Sequence, residues 1–470
     1  MLASARSRRH TSVMQPVPSL PSSVDIAIVG GGASGVLLAA QLVRKSSLRV
    51  ALVERGSQPA LGVAYSTRCR GHLLNVRASD MTALVDEPDH FVEWLARDGG
   101  SLGRTDFVPR ADYGRYLKDL LAQSLKRSDG RLRVVTGDVT AVHDGRDGVG
   151  LDIAGQAPLR AHKAVLATGH RPPSADSGAY RGNPWREDAI AGLAPDASVL
   201  LIGTSLTMID VLISLLEHGH KGPIIALSRR GLVPHRHPPA PMPSPTLDTS
   251  DLFAGSLSQR MARFRGRVRA GVEWPGLMQL LRPHNNELWH GLDLEQRRRF
   301  LRHLRPWWDI HRHRVAPQIG EQIDAARARG QLSIVSGRIE IGRAMDDEVE
   351  VTIIHRGSTD REVRSFDRVI DCRGPRNEVD VRVPLHAQLV KDGLLRPDAL
   401  NQGLDIAEDE ALISREGTPS DTLFVLGPPT RGRYTEIVAI PDIRIQAAAI
   451  ADQLIARLRE PSGLVFGPAA

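Results

Sequence analysis

Apolar and polar positions first settle into a regular grammar at residues 25–54. The run DIAIV is followed by a glycine cluster, then by VLLAAQLV, and then by a second apolar run, LRVALVE. A short continuous apolar run predicts a strand buried on both faces, and a helical segment between two such runs predicts a parallel strand-helix-strand crossover. The same grammar returns at 197–228, where ASVLLIGTSLTMIDVLISLLEHG precedes the strand PIIALS. Between these two units lies a long excursion, 57–130, whose apolar residues Tyr116, Leu117, Leu120 and Leu121 recur at helical spacing and predict a core-facing helix. Two strands, RLRVVTGDVTAVH and VGLDIAG, follow it. The apolar strand KAVLATGH then ends at Gly169, at the carboxyl edge where a parallel sheet gathers ligands.

Residues 172–185, PPSADSGAYRGNPW, have the composition of a linker. Residues 234–320 are polar and helical in pattern, and DRVIDCRGPR at 367–376 is another strand reaching a sheet edge, which closes the inserted unit. The chain finishes with a strand, a turn at Gly427, a loop and an amphipathic helix, whose N-terminus can hold the polar edge or phosphate of a ligand.

The glycines give this pattern a chemistry. Gly30, Gly32 and Gly35 stand in GxGxxG spacing between strand and helix, with Ala33 and Ser34 opening the helix. The first glycine permits the tight turn, the second lets backbone amides approach a pyrophosphate, and the third lets the helix pack on the strand. Glu54 ends the next strand, close to the spacing expected of an acid that accepts hydrogen bonds from a ribose diol. A carboxylate there disfavours a 2′-phosphate, which points to FAD or NAD.

The second unit keeps only Gly203 of its fingerprint, with Thr204 following and Ser205 and Met208 in the later glycine positions. Ser228, Arg229 and Arg230 stand where an acid would follow the strand. Two arginines there suit the 2′-phosphate of NADPH, and the alternative is a solvated basic turn. The predicted fold is therefore α/β, with two dinucleotide-binding Rossmann-like domains, the second inserted in the first. A disordered basic lead-in covers 1–22, the first domain 23–175 and 366–470, and the second domain with its helical part 186–365.

Composition adjusts this picture in a few places. Aromatic residues make up only 4% of the 470, so the core must be mainly aliphatic. The 61 basic against 54 acidic residues, a net charge of +7, are clustered at 228–230 and 297–314 and favour anionic ligands. No nucleic-acid-binding motif accompanies them. Cys69 and Cys372 stand far apart with no CxxC, which suits reduced thiols and a cytoplasmic setting. Every long apolar stretch is broken by glycine turns or by Asp210, so no membrane span is expected. HRH occurs at 235–237 and 311–313, but with no cysteine or acid at ligand spacing these histidines are expected beside arginines at the surface, with no metal. PWWDIHRHR, 306–314, suits either a cap over a ligand or an interdomain contact.

GGGASG, GVAYST with HLLNVRA, ATGH, LLIGTSLTMID, LSRRG, CRGP and LFVLGPPTRG together resemble the bacterial FAD-NAD(P)-binding family of flavoprotein oxidoreductases, over residues 24–455. The resemblance implies that Gly30, Gly32, Gly35 and Glu54 hold FAD and that the GVAYST and HLLNV segments, including Asn75, line the flavin. It further implies that Gly203, Thr204, Ser205, Arg229 and Arg230 hold NADH or NADPH. Among members with an assigned reaction are FAD-dependent urate hydroxylases of purine catabolism. The implied activity is an NAD(P)H-using monooxygenation of a small anionic heterocycle by O2, urate to 5-hydroxyisourate. The alternatives are transfer of electrons to another acceptor and N-hydroxylation.

More distant monooxygenases carry an aromatic-x-Gly-x-x-x-His linker. Here Tyr180 and Gly182 are followed by Arg186, which argues against Baeyer-Villiger chemistry. Gly427, Pro428 and Pro429 stand where many flavoproteins place an acid. For an anionic substrate, Asn75, Arg77, Arg431 and Arg433 are candidates, each equally a phosphate contact or a surface charge. No catalytic base is assigned, and the oligomeric state is open.

Overall fold

The computed structural model describes residues 22–145, 147–170, 175–242, 245–374 and 379–459, so the expected lead-in falls outside the described residues except for Ser22. Two parallel-rich sheets form the architecture. The first runs in the order Ala411–Ile413, Pro419–Val425, Leu159–Leu166, Ser23–Val29, Val50–Glu54 and Leu132–Thr136, with Val139–Gly145 and Gly148–Ile153 attached as an antiparallel pair. The second runs Arg361–Phe366, Val349–His355, Leu332–Ala344, Ile224–Ser228, Val199–Ile202, Arg368–Asp371 and Tyr180–Arg181.

The strand Ser23–Val29 is buried on both faces, as its apolar run requires. Ile26 and Ile28 pack into one core with the helix Ala33–Lys45, while Val24, Ala27 and Val29 pack into a second core on the opposite face. That helix buries every residue from Ser34 to Val43, because it is wedged between the sheet and the helices Arg110–Ser128 and Ile440–Arg459. Arg44 and Lys45 fill its last turn, where the helix dipole favours cations. Tyr116, Leu117, Leu120 and Leu121 of the helix Arg110–Ser128 are buried in the same core, as their spacing predicts.

The C-terminal strand Pro419–Val425 and helix Ile440–Arg459 return to the first sheet, while the second sheet is built from the residues between. Its limits are wider than 186–365. Arg368–Asp371 sits in its centre, paired with Val199–Ile202, and Tyr180–Arg181 adds its edge. Part of the expected linker is thus a strand: Ala179 and Tyr180 are buried against Leu200, Ile202 and Val369, and apolar burial overrides the turn-forming composition around them. Residues 172–174 of that segment lie outside the described residues.

The polar stretch after the strand Ile224–Ser228 forms short helices. Leu257–Arg269 buries no residue, and the segment's own core is centred on Leu252, Leu277 and Leu281. So small a core cannot hold the segment alone, and it leans on the first domain. Trp289 Nε1 donates to the Gly432 carbonyl at 3.0 Å, and Asn285 Nδ2 donates to Glu436 Oε2 at 2.7 Å. Among the described residues, no helix is long and apolar enough to cross a membrane.

Candidate functional site: two clefts and the domain junction

The first cleft opens at the carboxyl edge of the first sheet. Gly30, Gly32, Ala33, Ser34, Glu54 and Gly169 line it together with Leu61–Tyr65, Thr168, Pro428, Pro429 and the start of the helix Ile440–Arg459. The three fingerprint glycines are constrained differently. Gly30 has φ +111°, and a Cβ there would lie 2.3 Å from the Ala167 carbonyl. A Cβ on Gly35 would lie 2.0 Å from the Gly30 carbonyl. A Cβ on Gly32 would meet nothing nearer than the Gly62 Cα at 3.6 Å. Protein packing therefore dictates Gly30 and Gly35, while Gly32 faces open space above the helix Ala33–Lys45, whose N-terminus no side chain caps. Uncapped amides beside an open approach are what a pyrophosphate needs.

Glu54 lies in this cleft with its carboxylate already engaged. Its Oε2 accepts from the Gly31 amide at 2.7 Å and its Oε1 from the Gly56 amide at 2.8 Å. Each oxygen keeps a further lone pair for a ribose hydroxyl, so the acid both ties down the glycine turn and remains an acceptor. Gly427 reaches the same place with φ +78°, and a Cβ there would lie 2.6 Å from Ser34 Oγ. Its amide donates to Gln446 Oε1 at 2.8 Å, and Gln446 Nε2 donates to Glu410 Oε2 at 2.9 Å.

Glu410 was not singled out by the sequence. The residue is 4% exposed, and its carboxyl accepts from Tyr434 Oη at 2.6 Å. Burial pushes it up to about 7, against the hydrogen bonds from Tyr434 and Gln446 and the charge of Arg433. Because the folded state holds this proton more tightly than the unfolded chain, its stabilising contribution is complete below about pH 4.5 and is lost as pH rises through about 7. Glu410→Gln is accordingly expected to change the stability of FAD-free protein little near pH 5. Near pH 8.5 it should raise stability by up to about 3 kcal/mol, read from denaturant midpoints at the two pH values. Equal effects at both pH values would contradict the shift.

The second cleft opens at the carboxyl edge of the second sheet. Gly203, Thr204, Ser205, Arg229 and Arg230 line it with Arg305, Asp309, Ile310, Arg338 and Arg373. Gly203 has φ +117°, and a Cβ there would lie 2.6 Å from the Cys372 carbonyl, which makes this turn the counterpart of Gly30. Ser205 precedes the helix Leu206–Glu217 and leaves its first turn uncapped, with no acid in it. Thr204 Oγ1 lies 2.8 Å from Ser228 Oγ and also bonds the Leu232 carbonyl, which fixes the loop carrying Arg229 and Arg230. The two arginines continue into a basin walled by Arg302, His303, Arg338, His355 and Arg356. Among the described residues, Arg229, Arg230, Arg302 and Arg338 form no ion pair, so the basin presents uncompensated positive charge. Arg302 belongs to the basic cluster 297–314, whereas local pattern gave no sign of Arg338 or Arg356, which arrive from a hairpin distant in sequence.

The segment 306–314 makes an interdomain contact and also borders the second cleft. Pro306, Asp309 and Ile310 line the second cleft, while Trp308 Nε1 and Arg312 Nε donate to Glu436 at 2.8 and 2.7 Å. Burial alone would push Glu436 up, but Arg312, His313, Trp308 and Arg305 together hold it below the usual carboxylate range. A second tie joins the domains where Arg110 Nη1 meets Asp210 Oδ2 at 2.6 Å, with both side chains 14% exposed.

Three candidates fall away from the first cleft. Asn75 does not line it. Its carbonyl accepts from His237 Nε2 at 2.8 Å, and the residue borders a small void at the domain junction with Leu206, Ile209 and Val315. Arg77 donates to the Pro238 carbonyl at 2.8 Å at the same junction. Arg433 pairs with Glu408 at 3.4 Å. Arg431 follows Pro429 and Thr430 in the turn beyond Gly427. The HRH histidines do not gather metal ligands among the described residues. His235 and His311 cluster with Trp274 in tilted and edge-to-face contacts, at 4.6 Å from each other and 5.0 and 4.7 Å from the indole. His237, expected at the surface, is instead drawn into the junction by Asn75 and Phe107.

Several known proteins are similar. The chain is 23% identical to a protein of Mycobacterium tuberculosis, and to one of Mycobacterium bovis, both described as uncharacterized, over 93% of this chain and 96% of theirs. Its structure resembles the L-lysine 6-monooxygenase of Pseudomonas syringae, with TM-score 0.63 and 17% identity. It also resembles the ornithine N-hydroxylase of Kutzneria sp. 744, solved with reduced FAD, NADP+ and L-ornithine, with TM-score 0.62 and 14% identity. Each likeness covers 93% of this chain and 100% of the other. The bacillithiol disulfide reductase of Staphylococcus aureus is similar at TM-score 0.54 and 11% identity, over 93% of this chain and 99% of that one. The fold is the two-domain α/β architecture of these proteins, and residues 27–171, which contain the first cleft's fingerprint, match the FAD-NAD(P)-binding family.

Proposed function

We propose that this chain is an FAD-dependent, NAD(P)H-consuming monooxygenase acting on a small molecule, with N-hydroxylation as its best-supported chemistry. The observation that carries the reading is the pairing of two nucleotide-shaped clefts. One has an open glycine approach to an uncapped helix, and the other has a similar helix start beside a basin of unpaired arginines. The first suits FAD and the second a 2′-phosphorylated nicotinamide dinucleotide. Bound FAD would supply hydride acceptance and oxygen activation, chemistry that belongs to the cofactor.

The chain's own residues bind and shield. Amides at Gly32–Ser34 would receive the FAD pyrophosphate, Glu54 the ribose, and Gly203–Ser205 the pyrophosphate of NADPH. Leu61, Val63, Tyr65, Ile440 and Ile443 give the first cleft an apolar wall that excludes water.

The likeness to amino-acid N-hydroxylases supports N-hydroxylation. Urate hydroxylation rests on the family resemblance alone. A disulfide reductase shares the fold, but no CxxC dithiol is present in this chain. Here Cys69 and Cys372 are separate free cysteines, and Cys372 is buried.

The test is reconstitution with FAD followed by NADPH and NADH oxidation with simultaneous O2 uptake, in the presence of L-lysine, L-ornithine or urate. A yellow protein whose oxidation is stimulated by an amino acid, with a hydroxylated product, supports the reading. Stimulation by urate moves the substrate assignment to the heterocycle. A protein that cannot take up FAD overturns the proposal.

A further inference from the structure

Arg314 is 8% exposed, and among the described residues its guanidinium makes no hydrogen bond and no ion pair. Its Nε is fully enclosed without an acceptor, and the Trp274 ring, with its centroid 5.7 Å from the guanidinium carbon, lies beside it. A buried cation is costly unless a counter-charge or a set of acceptors compensates it. The charges near this one are of the same sign. Burial, Arg312 and Arg77 together bring Arg314 down to about 10, and no carboxylate offsets them. Arg312 is itself satisfied by Glu436, and Arg77 spends its donors on the carbonyls of Thr105 and Pro238 while stacking over Phe107 at 4.9 Å. Nearby, His237 is kept neutral: burial first, then Arg314 and Arg77, lower it to about 4.

The position of this cation is specific. Arg314 stands two residues beyond the helix Arg305–Arg312, which contributes Arg305, Asp309 and Ile310 to the second cleft. It directly precedes Val315 and Ala316, which wall the junction void with Leu73 and Asn75 of the first domain. The unpaired guanidinium therefore stands at the domain junction, beside Trp274, Arg77 and His237.

We propose that Arg314 is an anion-recognition site for the carboxylate of the small-molecule substrate. That its ligand is the substrate rests on the monooxygenase reading, whereas the anion site rests on the unpaired cation itself. A carboxylate matches the planar fork of a guanidinium with two parallel hydrogen bonds. A dinucleotide phosphate is disfavoured as the ligand, because the two helix starts and the basin at Arg229, Arg230 and Arg338 already offer such groups a place.

The experiment follows the melting temperature of the full chain, with and without FAD, at fixed ionic strength as sodium chloride is replaced by sodium propionate or by inorganic phosphate. It compares the parent chain with Arg314→Met and Arg314→Lys. Propionate is expected to raise the parent's melting temperature by several degrees with a saturating dependence. Arg314→Met should shift the half-saturating concentration at least tenfold upward, and Arg314→Lys should fall between. In the absence of propionate, Arg314→Met should be at least as stable as the parent, because it removes an uncompensated buried charge. A purely structural arginine would instead lose stability on substitution and leave the propionate response intact, which overturns the proposal. So does a parent stabilised by phosphate and not by propionate, or by neither. Failure of FAD uptake would remove the monooxygenase reading, while the propionate response of the FAD-free chain would still decide the anion site.

Discussion

Gly32→Val is expected to yield a folded protein that does not bind FAD. At this position φ is −70° and a Cβ would find its nearest neighbour at an ordinary 3.6 Å, so the backbone tolerates a branched residue. The added methyls would occupy the approach to the amides that start the helix Ala33–Lys45, where a pyrophosphate must come within hydrogen-bonding distance. We expect FAD affinity to fall at least ~100-fold, corresponding to about 3 kcal/mol or more. Melting of the FAD-free protein should stay within a few degrees of the parent. Flavin absorbance after desalting and the FAD-free melting curve measure the two halves. Gly30→Ala is the contrasting control. It places a Cβ 2.3 Å from the Ala167 carbonyl at φ +111°, and should destabilise the fold whether or not FAD is present. If Gly32→Val keeps its flavin, the first cleft is not where the pyrophosphate lies.

Replacing Arg229 and Arg230 together by serine should sharply reduce a preference for NADPH. A charge-assisted hydrogen bond to phosphate contributes about 1.5–3 kcal/mol, so the double change should lower kcat/KM for NADPH by ~100-fold or more. NADH, which carries no 2′-phosphate, should change no more than severalfold. The remaining arginines of the basin, Arg302, Arg338 and Arg356, should leave a residual preference that weakens as salt is raised. Measured with both dinucleotides at two ionic strengths, an unchanged NADPH parameter would mean that Arg229 and Arg230 are only a solvated turn.

Glu410→Gln and the Arg314 variants probe groups of another kind, and the contrast explains what could be read without coordinates. The glycines, Glu54, Thr204 and the paired arginines follow one another within a strand, a turn and a helix, and local spacing is enough to find them. Glu410, Glu436 and Arg314 have no such signature. Each acquires its character from burial by segments far away in the chain: Glu410 from Tyr434 and Gln446, Glu436 from Asn285, Trp308 and Arg312, and Arg314 from Trp274 and Arg77. The same distinction explains Tyr180, where Pro- and Gly-rich neighbours suggested a linker and the second sheet claimed the residue as its edge strand.

Asn75 shows the limit from the other side, since the segment HLLNV is recognisable in the sequence yet folds to the domain junction, where His237 holds its carbonyl. Local sequence determined the two parallel strand-helix-strand units and their glycine turns, because hydrophobic periodicity and φ restrictions act over a few residues. Only the tertiary structure decided which arginines are paired, which carboxyls are pushed up by burial and how the two domains are tied together, because desolvation and charge pairing are set by neighbours that the chain brings together on folding.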